Sequence, residues 1–288
     1  MRIVSWNCGG WSCGGFNEKK YDEIMRYKPN ILLIQEITQK EYDDLTKDNP
    51  KFEEFGKLGK LGQPPQRING RHWYKDNAEE SYKGIAIFSM YGLQKVELVE
   101  NFNNKFRYVV PYIISSSLSD EKEYVLISVW TKQPSDGSWD YQKTIFEVLD
   151  YYKFDLPIIL VGDFNTGSNK DNLHNYEELK MNMAKHGLRN CAENTKYEYR
   201  PTFYHDTKGK YFTNDFCFIP NEYHIYNFHV DKMNNRKRWR GLSDHCPIIA
   251  DFGELTIEDN KEMEKIAKEI IETLYDKIDH SEKGILVD

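Results

Sequence analysis

Three short apolar runs that no polar residue interrupts constrain the fold of this chain more than any other feature. They are Ile31-Leu32-Leu33-Ile34, Ile158-Ile159-Leu160-Val161 and Ile248-Ile249-Ala250. A half-exposed strand alternates apolar and polar residues, whereas an uninterrupted run is typical of a strand buried on both faces. The runs therefore predict three buried strands.

Weaker signals place the other elements of the chain. Further strands are predicted at residues 2–6, 84–89, 107–116 and 124–129, around 202–204, at 216–219 and at 247–252. Apolar residues at helical spacing predict a helix that ends near 27–29 and helices over 139–153 and 176–186. Residues 51–77 are rich in Gly, Pro, Lys and Arg and are predicted to form a long loop, whose length makes it a functional candidate.

Side chains that can bind a metal ion or a phosphate lie at the ends of several of these strands, either just before or just after them. The residues are Asn7, Glu36, Asp163, Asn165, Asp215, Asp244 and His245. One carboxylate after one strand usually forms a turn, but several after several strands imply that they meet at one sheet edge. Hard oxygen ligands suit Mg²⁺ or Mn²⁺ rather than zinc. The pattern favours phosphoryl transfer, which depends mainly on positioning and charge stabilisation.

Asp244 and His245 stand side by side just before the last predicted strand. The carboxylate can hold or orient a cation, and the imidazole can donate to a phosphoryl oxygen. Pro247 cannot donate to a sheet ladder, so we expect the pair at the mouth of the strand. The alternative is an ordinary solvated pair in a loop.

The charge of the chain limits how it can contact nucleic acid. A formal net charge of −7 argues against a broad basic surface, so any such contact must come from a local patch. One patch is the stretch Arg236-Lys237-Arg238-Trp239-Arg240, where the cations of Arg236 and Arg238 can meet phosphates and Trp239 can stack on a base. The alternative is a solvated basic loop.

The cysteines and the N-terminus indicate the compartment. The five cysteines are Cys8, Cys13, Cys191, Cys217 and Cys246. They are scattered, odd in number and without a zinc pattern, so they are predicted to be free and mostly buried thiols, which favours a reducing compartment. The N-terminus has no signal-peptide core, and no stretch is long enough to span a membrane. We expect a cytoplasmic protein.

The C-terminal segment differs from the rest of the chain. From Ile257 on, apolar residues recur at helical spacing, and Thr256 and Asp259 precede them in capping-box spacing. We divide the chain into a domain at 1–252 and a C-terminal helical extension at 253–288 that packs on it. The alternative is a helix that binds a partner protein. We expect the protein to be a monomer.

Four stretches, taken in order, resemble the endonuclease/exonuclease/phosphatase superfamily, which includes abasic-site endonucleases, DNase I-like nucleases, inositol polyphosphate 5-phosphatases and sphingomyelinases. They are Ser5-Trp6-Asn7, Ile34-Gln35-Glu36, Gly162-Asp163-Phe164-Asn165 and Ser243-Asp244-His245-Cys246-Pro247-Ile248. The resemblance covers about residues 1–252. It implies an α+β fold of the DNase I-like kind, a four-layer sandwich in which two mostly antiparallel β-sheets pack face to face and are flanked by helices.

The resemblance also implies roles for the residues that end the strands. Glu36 is the main metal ligand, with Asn7 and Asp244 nearby. Asp163 orients or deprotonates the attacking water, and Asn165 binds the scissile phosphate.

The resemblance also implies a role for His245, and the chain departs from the family pattern at two positions. His245 contacts the phosphate and is oriented by Asp215. Many members carry His or Tyr where this chain has Trp130, whose indole donates one hydrogen bond but cannot shuttle a proton. Trp130 is therefore either a substrate contact or a core aromatic. Asn214 stands where the family usually has an apolar residue.

These observations predict that the chain is a metal-dependent phosphoesterase that hydrolyses phosphodiester bonds by in-line attack of water. The basic patch favours a DNA endonuclease or exonuclease with nucleic acid as substrate. The close alternative is a phosphatase or phosphodiesterase of inositol phosphates or lipid headgroups. The alternative from another class is a non-catalytic binding protein on the same scaffold, and the complete set of candidate residues speaks against it.

Overall fold

The computed structural model describes residues 1–9, 15–46, 71–75, 83–90, 94–116, 123–132, 140–168, 173–205, 208–231, 239 and 241–254. Its strands are β1 (Arg2–Asn7), β2 (Ile31–Thr38), β3 (Arg71–Tyr74), β4 (Lys83–Ser89), β5 (Gln94–Leu98), β6 (Val109–Ser116), β7 (Glu123–Trp130), β8 (Ile158–Ser168), β9 (Leu188–Asn190), β10 (Phe203–His205), β11 (Lys210–Pro220), β12 (His224–Val230) and β13 (Ile248–Gly253). Its α-helices are α1 (Glu18–Met25), α2 (Gln39–Thr46), α3 (Lys143–Tyr152) and α4 (Leu173–Lys185).

The strands form two mixed sheets. The first has the order β12-β13-β1-β2-β4-β3, and the second has the order β10-β11-β8-β7-β6-β5, with β9 paired to β11. The central pairs β1–β2 and β7–β8 are parallel. The antiparallel pairs are β13–β1, β2–β4, β3–β4, β5–β6, β6–β7, β8–β11, β9–β11 and β10–β11. The sheets meet where β1 and β2 contact β8 and where β4 contacts β7. The predicted sandwich of two mostly antiparallel sheets with flanking helices is confirmed.

The second sheet presents two different faces at its centre. On one face, Phe164 and Phe216 pack with Val148 of α3 and Leu179 of α4 in a single buried cluster. Successive side chains of a strand point to opposite faces. Asp163 and Asp215, the residues just before these phenylalanines, therefore face away from the helices and towards the first sheet.

Some elements differ from the sequence prediction. The predicted loop at 51–77 contains β3, and its other described residue is Lys75. Helix α2 was not predicted because its residues are mostly polar and give a weak apolar period. Its start nevertheless carries a capping box, in which Glu41 N–H donates to Thr38 Oγ1 and Thr38 N–H donates to Glu41 Oε2.

The chain divides into two units. One comprises Met1–Asn221 with Ile225–Phe252 and contains the predicted site, and the other comprises Glu222–His224 and the chain from Gly253 on. The predicted C-terminal helix lies outside the described residues, so its packing on the domain stays a prediction. Among the helices that are described, none has the length and apolar character needed to cross a membrane.

Candidate active site

Strand register brings the predicted site residues to one place between the sheets. Asp163 of β8 lies directly opposite Asp215 of β11 and beside Trp130 of β7. In the first sheet, Asn7 is the last residue of β1 and donates through Nδ2 to Asp163 Oδ2 at 2.9 Å. The convergence that the strand ends predicted is therefore present in the structure.

A bulge in β2 turns Glu36 into this site. The register of β2 against β4 shifts between Gln35 and Ile37, and Glu36 has φ +63°, in the left-handed region that few residues other than glycine adopt. Gln35 stays fully buried, and its Nε2 donates to Ser5 Oγ at 3.0 Å. The bulge thereby separates a core amide from a carboxylate that can act in the site.

Asn7 donates a hydrogen bond to each of two carboxylates of the site, and its role as a metal ligand stays a prediction. Its Oδ1 accepts the N–H of Gly9 at 3.0 Å, and this bond fixes the orientation of the amide. Its Nδ2 therefore faces the carboxylates and donates to both Asp163 and Glu36, the latter at 3.2 Å. In this arrangement the Asn7 amide holds the two carboxylates in place.

The approach of β7 to β8 depends on the glycine before Asp163. Gly162 has φ +146°, and a Cβ at this position would lie 1.9 Å from the carbonyl oxygen of Val129. Only glycine fits such a conformation and such a contact. The absence of a side chain at Gly162 thus lets β8 lie close to β7 and fixes the position of Asp163.

Asp163, His245 and Asp215 form a buried cluster in which the imidazole lies between two carboxylates. His245 Nδ1 is 2.9 Å from Asp215 Oδ2, and His245 Nε2 is 3.8 Å from Asp163 Oδ2. The first distance is a hydrogen bond and the second is only an ion-pair distance. The ring is also fixed from outside the cluster, since Phe203 packs against it at 4.6 Å between ring centroids.

Burial and charge shift the pKa values of this cluster. Burial raises the pKa of Asp163 to about 7; the positive charge of His245 opposes the rise, and the negative charge of Asp215 adds to it. Burial alone would lower the pKa of His245, but the charges of Asp215 and Asp163 raise it to about 10. The imidazole is therefore held as a cation at neutral pH.

The loop before β13 fixes His245 and Asp244. Ser243 Oγ donates to the carbonyl of Asn7 at 2.7 Å and accepts the N–H of His245 at 3.0 Å, so this loop is tied to the end of β1. Asp244 is half-buried beside them, and Ser243 Oγ is 3.4 Å from its Oδ1. The sequence prediction missed this role of Ser243 in fixing the loop, although Ser243 belongs to one of the four stretches that resemble the family.

Asn165 lies at the edge of the cluster. Its N–H donates to Asp163 Oδ1 at 2.9 Å, and its Nδ2 donates to the carbonyl of Thr131 at 2.9 Å. It has φ +47°, so its backbone leaves the extended conformation directly after Asp163 and Phe164. The half-buried amide is thus held next to Asp163, on the side of β7.

The donor set fits a divalent cation at Glu36. Asp163, Asp215 and His245 offer atoms that all lie within 4.8 Å of one another, but a protonated imidazole that is bonded to Asp215 has no lone pair for a metal. Glu36 offers a carboxylate outside this cluster, with Asp244 as the other predicted carboxylate ligand. Carboxylate oxygens are the ligands that Mg²⁺ and Mn²⁺ prefer.

Two predicted substrate contacts are core aromatics instead. Trp239 is fully buried, packs against Trp6 at 5.3 Å between ring centroids and donates through Nε1 to Asp231 Oδ2 at 2.9 Å, so it has no face for a base. Trp130 is 2% exposed and packs on Tyr108 at 4.7 Å, which supports the core alternative. Arg236 and Arg238 lie outside the described residues.

One further site residue, Lys83, was missed altogether. Its Nζ donates to Glu36 Oε2 in an ion pair between two half-buried side chains. Burial alone would raise the pKa of Glu36, but the charge and hydrogen bond of Lys83, the hydrogen bond of Asn7 and the charge of His245 together lower it. The sequence shows only a lysine at the start of a strand, with no signal that it faces a distant glutamate.

Comparison with known proteins places this geometry in a wider group. A family model described as Endonuclease/Exonuclease/phosphatase family matches residues 4–245. An endonuclease/exonuclease/phosphatase family protein from Leptotrichia buccalis is 17% identical, with a TM-score of 0.57, over 88% of this chain and 99% of that one. D. rerio TDP2, complexed with single strand DNA product, is 15% identical, with a TM-score of 0.56, over 88% of this chain and 98% of that one.

A phosphatase shares the fold as well. The mannosyl-6-phosphatase Bt3783 of Bacteroides thetaiotaomicron is 13% identical, with a TM-score of 0.53, over 88% of this chain and 99% of that one. A search of curated proteins found no match. The solved structures share the fold at low identity, while the family model spans most of the chain, including every strand that delivers a residue to the site. The chain therefore belongs to the endonuclease/exonuclease/phosphatase family.

Proposed function

We propose that this protein is a divalent-metal-dependent phosphodiesterase that acts on DNA. Membership of the family supports phosphoester hydrolysis, and the observation that carries the proposal is the buried cluster of Asp163, His245 and Asp215 beside Glu36. The cluster supplies a base, a cationic hydrogen-bond donor and a residue that holds the donor in place. These are the groups that in-line attack of water on a phosphodiester needs.

Each side chain of the cluster has a geometric reason for its role. Asp215 fixes the Nδ1 side of His245, so Nε2, 3.8 Å from Asp163 Oδ2, can donate to a phosphoryl oxygen. Asp163 accepts the proton of the attacking water, and Asn7 keeps its carboxylate in place. Glu36 and Asp244 would hold a divalent cation, and its positive charge would help to neutralise the phosphate.

An aromatic surface beside His245 supports a nucleic-acid substrate. Phe203 is half-buried, packs on His245 and lies within 6.0 Å of the Phe212 ring and 5.9 Å of the His205 ring, centroid to centroid. Base–aromatic stacking favours single strands with exposed bases. D. rerio TDP2, which shares the fold, is described with a single strand DNA product, and this agrees with the proposal.

The second candidate function is hydrolysis of a phosphate ester on a small molecule. The specific observation in its favour is the shared fold of the mannosyl-6-phosphatase Bt3783. The same cluster serves both reactions, because both place a phosphoryl group against His245. The candidate substrates differ in the group that flanks the phosphate. In DNA this group carries a nucleobase that can stack on Phe203, and in the small molecule it is a polyol.

A substrate panel with Mg²⁺ or Mn²⁺ tests the proposal. It compares a single-stranded oligonucleotide, plasmid DNA, an abasic-site duplex, RNA, an inositol phosphate and a sugar 6-phosphate. We expect hydrolysis of DNA, its loss in excess EDTA, and a rise in KM for the oligonucleotide in Phe203→Ala. Hydrolysis of the small phosphates alone would establish the second candidate, and no hydrolysis of any substrate would favour a binding protein.

The thiols support a reducing compartment such as the cytoplasm. Cys191, Cys217 and Cys246 are buried free thiols, Cys8 is buried as well, and Cys13 lies outside the described residues. Burial raises the pKa of Cys217 and Cys246 well above the ordinary value, so these thiols resist ionisation. Localisation of a tagged copy by fractionation tests this part of the proposal.

A further inference from the structure

Lys83 lies where a cation is expected to meet Glu36. Its Nζ donates to Glu36 Oε2, while Asn7 Nδ2 donates to Glu36 Oε1. We propose that Lys83 is a positioning residue that competes with the divalent cation for the Glu36 carboxylate and so sets the metal affinity of the site. This inference rests on the proposed function, because it concerns the same metal.

The fold holds Lys83 in this place. Lys83 opens β4 and pairs with Thr38 across the bulge of β2, so the two strands that form the bulge supply both members of the ion pair. The carbonyl of Lys83 accepts the hydroxyl of Tyr108 at 3.2 Å, and Tyr108 is buried against Trp130. The lysine is thus anchored through its backbone, and its side chain reaches Glu36.

Simple electrostatics gives the sign of the effect. An ammonium group on Oε2 neutralises the negative charge that attracts a divalent cation and occupies a lone pair that a metal bond needs. Asn7 already uses a lone pair of Oε1, so neither oxygen is without a donor. Both side chains are about one-fifth to one-quarter exposed, so water screens the pair only in part.

The competition gives the site a definite property. A metal at Glu36 must displace the Lys83 ammonium or share the carboxylate with it, and either event weakens metal binding. We expect the ion to exchange readily with solution and to bind more tightly once Lys83 is neutralised. A lysine that merely stabilised the fold would leave the metal affinity unchanged.

Calorimetric titration of the full chain with Mn²⁺ tests the inference independently of catalysis. Lys83→Gln removes the charge and keeps a donor, and we expect its dissociation constant for Mn²⁺ to fall at least about tenfold. Lys83→Arg keeps the charge and should bind as the wild type does. Lys95→Gln is the matched control, since Lys95 forms an ion pair with Glu97 at 2.6 Å on β5.

The outcomes separate this inference from the proposed function. A wild type that binds no Mn²⁺ would overturn the metal-dependent function itself. Binding by the wild type with unchanged or weaker binding by Lys83→Gln would overturn only the role of Lys83. If Lys83→Gln fails to fold by circular dichroism, Lys83→Met is titrated instead, and the same comparison with Lys83→Arg decides the question.

Discussion

At the residue scale, the site consists of pairs in which one side chain fixes another. Asp215 fixes His245, Asn7 fixes Asp163 and Glu36, and Lys83 engages Glu36. Each pair joins residues that lie far apart in the chain, on different strands or on a strand and the loop before β13. Removing one member is therefore expected to change the chemistry of its partner as well as its own.

Asp163→Asn tests the proposed base. The change keeps the shape of the side chain and removes the charge, so turnover should fall on the order of 10² to 10⁴-fold. The melting temperature should change little, because burial already disfavours the charged carboxylate. Turnover of the oligonucleotide and thermal unfolding measure the two effects, and a variant with near-wild-type turnover would exclude Asp163 as the base.

His245 makes the stability of the protein depend on pH. Its pKa is raised from 6.5 to about 10 in the folded protein, so the folded state holds its proton more tightly than the unfolded state does. The stabilisation is complete below pH 6.5 and is lost as the pH rises towards 10. The melting temperatures of wild type and His245→Gln, measured without metal, should differ most below pH 6.5 and converge near pH 10. A constant difference would contradict the assigned ion pair.

At the element scale, backbone irregularities aim the side chains. The bulge of β2 presents Glu36, and Gly162 lets β8 approach β7 just before Asp163. Trp239 plays a comparable part in the loop before β13, since its carbonyl accepts the N–H groups of Leu242 and Ser243 at 2.8 and 3.1 Å. The geometry of the candidate site thus depends on backbone features outside the cluster of Asp163, Asp215 and His245.

Gly162→Ala should destabilise the protein by about 3 kcal/mol or more, because the new Cβ meets the Val129 carbonyl and the backbone cannot move away within the sheet. Gly187→Ala is the matched control: Gly187 has φ +72° with nothing within 4 Å, so it should cost only about 1 kcal/mol of backbone strain. Urea denaturation measures both variants. Equal losses would show that the close approach of β7 and β8 can relax.

Trp239→Ala separates the core role of this residue from a substrate role. Deleting a fully buried indole should lower the free energy of unfolding by roughly 3–5 kcal/mol. Because the loop carries Asp244 and His245, kcat should fall as well. A base-stacking residue would instead change KM for single strands and leave stability alone. Urea denaturation and steady-state kinetics on an oligonucleotide distinguish the two results.

At the scale of the whole molecule, the two sheets form one site because each contributes polar or charged side chains to it. The first sheet contributes Asn7 and Glu36, the second contributes Asp163 and Asp215, and the loop before β13 contributes His245. A ligand that binds between the sheets is therefore expected to stabilise the folded protein as a whole.

Metal binding should show this coupling directly. A cation that binds only the folded state raises the free energy of unfolding by about 2.7 kcal/mol at a concentration of 100 Kd. The melting temperature should therefore rise with Mn²⁺ and return to its starting value in EDTA, together with loss of turnover. Glu36→Ala should abolish the rise. A rise that persists in Glu36→Ala would place the metal elsewhere.

The sequence by itself determined the buried strands and the residue types that follow them. Uninterrupted apolar runs need cover on both faces of the strand, and Asp163, Glu36 and His245 come shortly after or before such runs. The order of four short motifs was enough to indicate the family. These features are local, so neighbouring residues along the chain encode them.

Only the tertiary structure decided in which direction the side chains point and which side chains contact one another. Tryptophan is a residue type that can contact a substrate, but residues from distant parts of the chain bury both Trp239 and Trp130. The orientation of the Asn7 amide depends on one backbone N–H, and the contact of Lys83 with Glu36 depends on a bulge that shifts strand register. Such features arise between residues far apart in the chain, and no pattern of spacing records the direction in which a side chain points.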